Sequence, residues 1–285
     1  MTIGLRDAAL RWLRGAGRTG PAGRRGVVVE IVEARGSVPR GVGTRMLVGA
    51  DEVLGTIGGG HLEWQAIARA RALAVSGAAA DEQQVVALGP TLGQCCGGSL
   101  TLRYRPLAAA DPASWPEPAP RFTLQLYGAG HVGRAIARLL AGVECRVQWI
   151  DEREAEFPPD ATSWLPPHIE RLCAEPVEAE VAQAPPGCRY LVLTHSHALD
   201  LALAEAILRR GDFGWFGLIG SRSKRARFEH RLTERGFDPA LIARIVCPIG
   251  LPGIAGKEPE VIAIAVVAQL LQCSETERQY GPVPA

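Results

Sequence analysis

The chain has 285 residues, of which 47% are hydrophobic and 21% charged, which is typical of a soluble protein with two cores. Its 31 basic and 30 acidic side chains leave a formal net charge of +1, which excludes a broad attraction to nucleic acid or to an anionic membrane. Because no apolar run approaches the roughly 20 residues of a membrane span and no secretory leader is recognisable, we expect a cytoplasmic protein that acts on a small molecule.

The predicted elements begin with a β-branched strand at residues 26–35, followed by an amphipathic helix at residues 61–74. Two further strands are predicted at residues 85–88 and 100–104, and glycine-rich turns separate all of these elements. Residues 1–107 are therefore expected to form a small α+β domain.

Proline and alanine dominate the next stretch, residues 108–120. Repeated proline removes backbone hydrogen-bond donors, and small side chains offer little to bury. We expect this stretch to be a linker that leads to a second domain at residues 121–285.

Strand-length apolar runs recur in the second domain, at residues 122–127, 145–150, 189–194 and 215–220, and helical patterns lie between them. A last apolar helix is predicted at residues 260–273. Alternating strands and helices favour right-handed crossovers and a mostly parallel sheet with helices on both faces. The predicted fold class is therefore α/β, with a smaller α+β domain at the amino terminus.

The run YGAGHVG places Gly128, Gly130 and Gly133 in the GxGxxG pattern, between a predicted strand and a predicted helix. In Rossmann-type domains such a turn lets backbone amides approach a phosphate, and a carboxylate such as Asp151 accepts from ribose hydroxyls. We expect this turn to bind a phosphate-bearing or nucleotide-like group. The alternative is that the glycines only allow the turn and Asp151 only caps the strand. His131 is either a surface residue or a donor to the bound phosphate.

Two other predicted strands end in polar residues at the same edge of the sheet. THSHALD supplies His195, His197 and Asp200, which could contact a cofactor, bind a metal or transfer a proton. The alternative is that they are ordinary polar residues of a surface loop. Gly220 and Ser221 precede a helix with a basic first turn, which suits an anion, although a serine N-cap explains Ser221 without any ligand.

The seven cysteines form an odd set without CxxC spacing, which argues against a disulfide framework or a zinc ribbon. LGQCCGG places Gln94, Cys95 and Cys96 in a glycine-rich turn, where an accessible thiolate could bind a soft metal. The alternative is that these thiols are small buried hydrophobic side chains. The other five cysteines are interpreted as structural. Further glycine-rich turns supply three candidate contacts for an anion or a pterin, Arg40, Arg45 and His61.

Taken together, the motifs resemble the XdhC family of xanthine dehydrogenase accessory proteins, from about residue 27 to residue 272. The runs that carry the resemblance are GSVPRGVGTRMLV, GTIGGGHLE, LGQCCGG, YGAGHVGRAIA, IDERE, VLTHSHALD, GLIGSRSKRARF and PIGLPGIAGKEPEVIA. GKEPEVIA is closer to the xanthine dehydrogenase branch than to carbon monoxide dehydrogenase accessory proteins.

This resemblance implies a maturation chaperone without turnover of its own. Such a protein binds molybdenum cofactor in its molybdopterin form, protects it while a terminal sulfido ligand is added, and inserts it into apo xanthine dehydrogenase. The implied partners are a cysteine desulfurase and the molybdenum-binding subunit of the dehydrogenase. Molybdopterin offers a phosphate to the glycine turn and a soft metal to Cys95 or Cys96.

An NAD(P)-dependent oxidoreductase is the alternative function, with the glycine turn and Asp151 holding the dinucleotide and His195 or His197 as the acid/base group. A scaffold that bridges dehydrogenase and desulfurase ranks third. The sequence leaves open whether the Rossmann edge takes the pterin phosphate or a separate nucleotide, which cysteine touches molybdenum, and whether the chain forms homo-oligomers.

Overall fold

A computed structural model describes residues 4–15, 26–76, 81–89, 97–116, 119–159 and 164–280, with side chains up to residue 274. The chain divides into two compact units, Met1–Pro118 and Ala119–Ala285. The division lies within the stretch predicted as a linker.

The N-terminal unit contains a five-stranded antiparallel sheet in the order β3-β2-β1-β5-β4. Val27, Val29 and Ile31 on β1 pack with helix α2, whereas Val28 packs with helix α1. Because successive side chains of a strand point to opposite faces, the two helices cover opposite faces of the sheet. The elements are α1 (Leu5–Gly15), β1 (Val27–Arg35), β2 (Arg45–Val48), β3 (Val53–Gly55), α2 (Gly60–Ser76), β4 (Glu82–Ala87) and β5 (Ser99–Pro106).

The first part of the predicted linker is packed rather than extended. Short 3-10 turns at Leu107–Ala109 and Pro112–Ser114 lead to Trp115, which is 6% exposed and joins the cluster that contains Trp12 of α1. The indole of Trp115 donates to the carbonyl of Ala110 over 3.0 Å. Residues 108–115 therefore belong to the N-terminal unit, because one large aromatic side chain supplies the burial that the small residues lack.

The C-terminal unit contains a six-stranded parallel sheet in the order β11-β10-β9-β6-β7-β8. Together with the N-terminal sheet it confirms the predicted α/β fold class with a smaller α+β domain. The elements are β6 (Thr123–Tyr127), α3 (His131–Leu140), β7 (Arg146–Asp151), β8 (Ile169–Cys173), β9 (Arg189–Val192), α4 (His197–Arg210), β10 (Trp215–Leu218), α5 (Arg222–Glu234), α6 (Pro239–Ala243), β11 (Ile245–Val246) and α7 (Pro259–Tyr280). None of the described helices is long and apolar enough to cross a membrane.

Helices cover both faces of this sheet, as predicted. Helices α3 and α7 form a core with one face, in which Ile136 and Val266 pack against Leu126. Helices α4 and α5 cover the other face, together with the 3-10 segment Val177–Gln183.

The chain order changes direction between β6 and β9. From β6 the chain moves outward to β7 and β8, and it then returns to the other side of β6 to form β9, β10 and β11. Open α/β sheets bind ligands at such a point, outside the carboxyl ends of the strands. This edge is therefore where the candidate residues of the C-terminal unit are expected to meet.

Candidate functional site

Gly128 and Gly133 of the glycine turn are required by packing inside the chain. Gly128 has φ +117°, and a side chain there would clash with the carbonyl of Leu193 at the end of β9. A side chain at Gly133 would clash with the carbonyl of Gly128. These two glycines let helix α3 sit close against the sheet, as the motif predicts.

Gly130 is different, because nothing inside the described chain explains it. Its φ of −67° suits any residue, and an ideal Cβ built there has no neighbouring atom within 4 Å. It is the N-cap residue of α3 and makes no side-chain cap, whereas Ser196 and Ser221 cap α4 and α5. Helix α3 therefore begins without a side-chain cap and with open space beside its N-cap residue, and a helix N-terminus of this kind suits an anion.

Asp151 is bound within the chain instead of facing outward. Its carboxylate is 4% exposed and accepts from the backbone N–H of Ala129 over 2.7 Å and from that of Arg153 over 2.9 Å. The Arg153 guanidinium donates two further bonds of 2.9 Å. Burial acts to raise the pKa of Asp151, but the hydrogen bonds from Arg153 and Ala129 outweigh it and lower that pKa. The carboxylate expected to accept from ribose hydroxyls is thus occupied by protein donors.

Asp200 is buried as well, at 1% exposure. It accepts from the backbone N–H and the hydroxyl of Thr194 over 3.1 and 2.7 Å. Its other oxygen accepts from Lys224 Nζ over 2.5 Å, and Lys224 also donates to the carbonyl of Ile219 over 2.7 Å. Asp200 therefore ties the ends of β9 and β10 together. The basic first turn of α5 is visible in the sequence, but no local pattern indicates that Lys224 is buried.

The three histidines of the predicted site are exposed. His131 and His197 are the first residues of α3 and α4, and His195 lies on the turn after β9. His195 Nε2 is 3.6 Å from the carboxylate of Glu152, so the pair carries opposite charges when the imidazole is protonated. Among the described residues, no group of three or more His, Cys, Asp or Glu side chains is arranged to hold a metal ion.

A small recess brings Gly128, Asp151 and His195 together at the switch point of the sheet, with Glu152 and Thr194. Its free volume is about 10 Å³, which is room for roughly one water molecule. In this conformation the recess does not enclose a base or a sugar.

Gly220 and Ser221 are accounted for by local structure. The Ser221 hydroxyl accepts from the backbone N–H of Lys224 over 3.3 Å, which is the N-cap alternative stated for it. A Cβ at Gly220 would lie 2.5 Å from Cδ of Lys224, so the glycine leaves room for the buried lysine stem.

Gln94, Cys95 and Cys96 of the predicted metal-facing turn lie outside the described residues. The chain immediately after them packs tightly. A Cβ at Gly98 would lie 2.6 Å from the carbonyl of Ser37, and a Cβ at Gly36 would lie 3.2 Å from Cα of Gly98. The last glycine of the LGQCCGG motif therefore packs against the start of the GSVPRG motif.

The GTIGGG segment packs against the GSVPRG motif as well. A Cβ at Gly58 would lie 2.5 Å from Cγ of Pro39. The carboxylate of Glu63 holds the segment in shape, because it accepts from the backbone N–H groups of Ile57 and Gly59 over 3.0 and 3.2 Å. Three glycine-rich motifs that are far apart in sequence thus form one junction in the N-terminal unit, made of residues 36–39, 56–60 and 97–98. No local sequence pattern indicates that these three motifs converge.

A family model described as the XdhC Rossmann domain matches residues 124–270, more than half of the chain. The chain belongs to the XdhC family. A second model, described as the XdhC and CoxI family, matches residues 21–86 of this XdhC protein, which include two of the three motifs of the glycine junction.

One curated relative is the uncharacterized protein YqeB of Escherichia coli (strain K12), which is 32% identical over 253 residues. The match covers 86% of this chain but only 43% of YqeB, so the chain spans less than half of that relative's length. A crystal structure from Bacillus halodurans, named as a xanthine dehydrogenase, aligns with a TM-score of 0.70 at 18% identity. It covers 97% of this chain and 98% of the other, and at that identity it shows a shared fold alone.

Proposed function

We propose that this XdhC protein is a xanthine dehydrogenase accessory protein that binds molybdenum cofactor by its terminal phosphate at the N-terminus of α3. Gly130 carries this proposal. It is the one glycine of the turn whose missing side chain leaves open space in front of uncapped amides. A phosphate placed there accepts from those amides and meets the positive end of the helix dipole.

The NAD(P)-dependent alternative is weaker because it needs the carboxylate of Asp151 for a ribose. That carboxylate already accepts four hydrogen bonds from Ala129 and Arg153. A phosphate monoester makes no such demand, since it has no ribose diol to bind. The contacts around Asp151 therefore favour the molybdopterin form of the cofactor over a dinucleotide.

For the metal end of the cofactor we assign Cys95 or Cys96, with Gln94 beside them. The support is chemical, because a thiolate is a soft ligand that suits a metal already held by the sulfur atoms of a dithiolene. Gly98, two residues beyond Cys96, is fixed in the glycine junction by packing against Ser37. The proposed thiolate thus has glycine-rich sequence on both sides.

In this role the chain has no turnover of its own. It receives the cofactor, shields it while a cysteine desulfurase supplies the sulfur of the terminal sulfido ligand, and passes it to the molybdenum-binding subunit of xanthine dehydrogenase. Family membership supports the accessory role. The exposed positions of His131, His195 and His197 leave these side chains available for further contacts with the cofactor.

The test is to purify the full chain from cells that make molybdenum cofactor and to measure molybdenum, pterin and phosphate per chain. We expect near-stoichiometric amounts of all three, and none of them from cells blocked in cofactor synthesis. Titration with NADH and NADPH, followed by fluorescence, should show no saturable binding. A chain that is empty of pterin but binds NAD(P)H and reduces a carbonyl compound would establish the oxidoreductase alternative instead.

A further inference from the structure

A second charged recess lies on the face of the N-terminal sheet that carries α1. Cross-strand pairing places Glu30 of β1 between Arg45 of β2 and Arg103 of β5, and Arg105 lies two residues further along β5 on the same face. Trp115 closes one side. We call this the arginine cleft, and its lining residues are Val28, Glu30, Arg45, Arg103, Arg105, Ala110 and Trp115.

Positive charge exceeds negative charge in the arginine cleft. Arg45 donates to Glu30 over 2.5 Å, and its guanidinium lies 5.1 Å from the ring centroid of Trp115. Within the described residues, Arg103 and Arg105 both pair with Asp81, at 3.3 Å each. The side chain of Asp81 is 50% exposed, so water screens its charge. Three guanidinium groups thus face two carboxylates, and one of those carboxylates sits at the rim.

Arg103 is incompletely satisfied in this arrangement. Its Nε is buried, and the acceptor nearest to it among the described residues, the Asp81 carboxylate at 3.3 Å, lies outside hydrogen-bond geometry. A buried donor without a well-aligned acceptor costs free energy unless a ligand or a water completes it. The free volume of the cleft is about 10 Å³. That is roughly the space of one water, so one oxygen atom of an anionic group would enter the cleft and the rest of the ligand would stay at its open side.

We propose that the arginine cleft binds one oxyanion group, a phosphate or a carboxylate, of a small ligand. Guanidinium groups suit both, because their N–H donors match paired oxygen atoms. The Arg45–Trp115 contact holds one wall rigid, and Arg103 and Arg105 supply donors that Asp81 uses only in part. This site is separate from the phosphate position at Gly130 and does not depend on the proposed function.

The test uses the full chain carrying Gly130→Asp, which removes the proposed phosphate position on α3. Thermal stability and calorimetry are followed during titration with inorganic phosphate and, separately, with succinate, against chloride at constant ionic strength. Saturable stabilisation by either anion is the expected result, and the two titrations show whether phosphate or carboxylate is preferred. Adding Arg103→Met and Arg105→Met should weaken binding roughly tenfold or more.

Two further variants separate binding from damage to the fold. Arg69→Met removes a surface arginine that pairs with Glu82 outside the cleft, and it should leave the titrations unchanged. Glu30→Gln removes the negative charge inside the cleft, and it should tighten anion binding, a gain that a folding defect does not produce. Saturation that is absent in the parent chain, or that is equal in the Arg103 and Arg105 variant, would overturn the proposal.

Discussion

The backbone N–H of Ala129 donates to the carboxylate of Asp151 over 2.7 Å and so joins the glycine turn after β6 to the end of β7. Arg153 covers the remaining oxygen positions with three bonds of its own. In this protein the acidic residue of the Rossmann pattern therefore stabilises the turn through hydrogen bonds within the chain. The residue next to Ala129, Gly130, is the one that carries the proposed phosphate position.

Asp151→Asn should lower the free energy of unfolding by about 2 kcal/mol at neutral pH, because a buried, charge-assisted network loses its charge. The pKa of Asp151 is lowered in the folded chain, so its contribution is complete above the unfolded pKa of about 4 and is lost as the pH falls through the folded pKa. The difference between wild type and variant in urea titrations should therefore shrink below about pH 4.

Asp212→Asn is the matched control for that measurement. Asp212 also has a lowered pKa, chiefly through its hydrogen bond with Arg210, but its side chain is 40% exposed. Its loss should cost no more than about 1 kcal/mol. If Asp151→Asn were equally mild at neutral pH, the turn would not depend on the Asp151 carboxylate.

Gly130→Asp should separate folding from ligand binding. An aspartate at the N-cap satisfies the free amides of α3 and places a negative charge at its positive end, so the empty chain should be stabilised by about 0.5 kcal/mol. The same carboxylate repels and displaces a phosphate. We therefore expect a higher melting temperature together with reduced pterin and molybdenum content after co-expression. Retention of the cofactor at the wild-type level would remove Gly130 from the proposed site.

Gly133→Ala should destabilise the C-terminal unit directly, because its methyl group would clash with the carbonyl of Gly128. The expected loss is about 2 kcal/mol or more, measured by urea unfolding. Gly142→Ala is the control, since its Cβ would lie 3.8 Å from the carbonyl of Leu139, an ordinary contact. A Gly133 variant as stable as the Gly142 variant would show that the helix shifts at little cost.

Much of the C-terminal fold follows from local sequence signals. The predicted strand at residues 122–127 and helix after the GxGxxG turn correspond to β6 and α3, because both the apolar period and the glycine spacing are local features. Strands β8 and β11 were not predicted. β11 has only two residues and β8 lies at the edge of the sheet, so neither shows a continuous apolar run.

The site was harder to predict than the fold because its contacts are distant in sequence. The GxGxxG pattern correctly indicates a turn that packs through Gly128 and Gly133. It does not reveal that the Arg153 guanidinium donates hydrogen bonds to the Asp151 carboxylate. The partner of Asp200 is Lys224, on a different helix, and periodicity carries no information about such a pair. The glycine junction likewise needs tertiary packing to bring Gly98 onto Ser37.

Lys224→Met should destabilise the C-terminal unit by about 3 kcal/mol, because it leaves the buried carboxylate of Asp200 without its cation. Combining it with Asp200→Asn should recover part of that loss, since the amide carries no charge. Arg225→Met, which breaks the more exposed pair with Glu229, should cost about 1 kcal/mol or less. Additive losses in the double variant would show that Asp200 and Lys224 do not interact energetically.

Replacing Cys95 and Cys96 together by alanine should lower molybdenum content while leaving the melting temperature of the empty chain within about 2 °C of wild type. In the proposed site the thiolate is a second anchor for the cofactor beside the phosphate position at α3, and the metal stays bound to the dithiolene of the pterin. Molybdenum and pterin should therefore fall together. Cys173→Ala removes an exposed thiol at the end of β8 and is the control for non-specific metal capture. Unchanged molybdenum in the double variant, with the expected loss in Gly130→Asp, would leave the phosphate position as the sole anchor and would exclude the thiolate role.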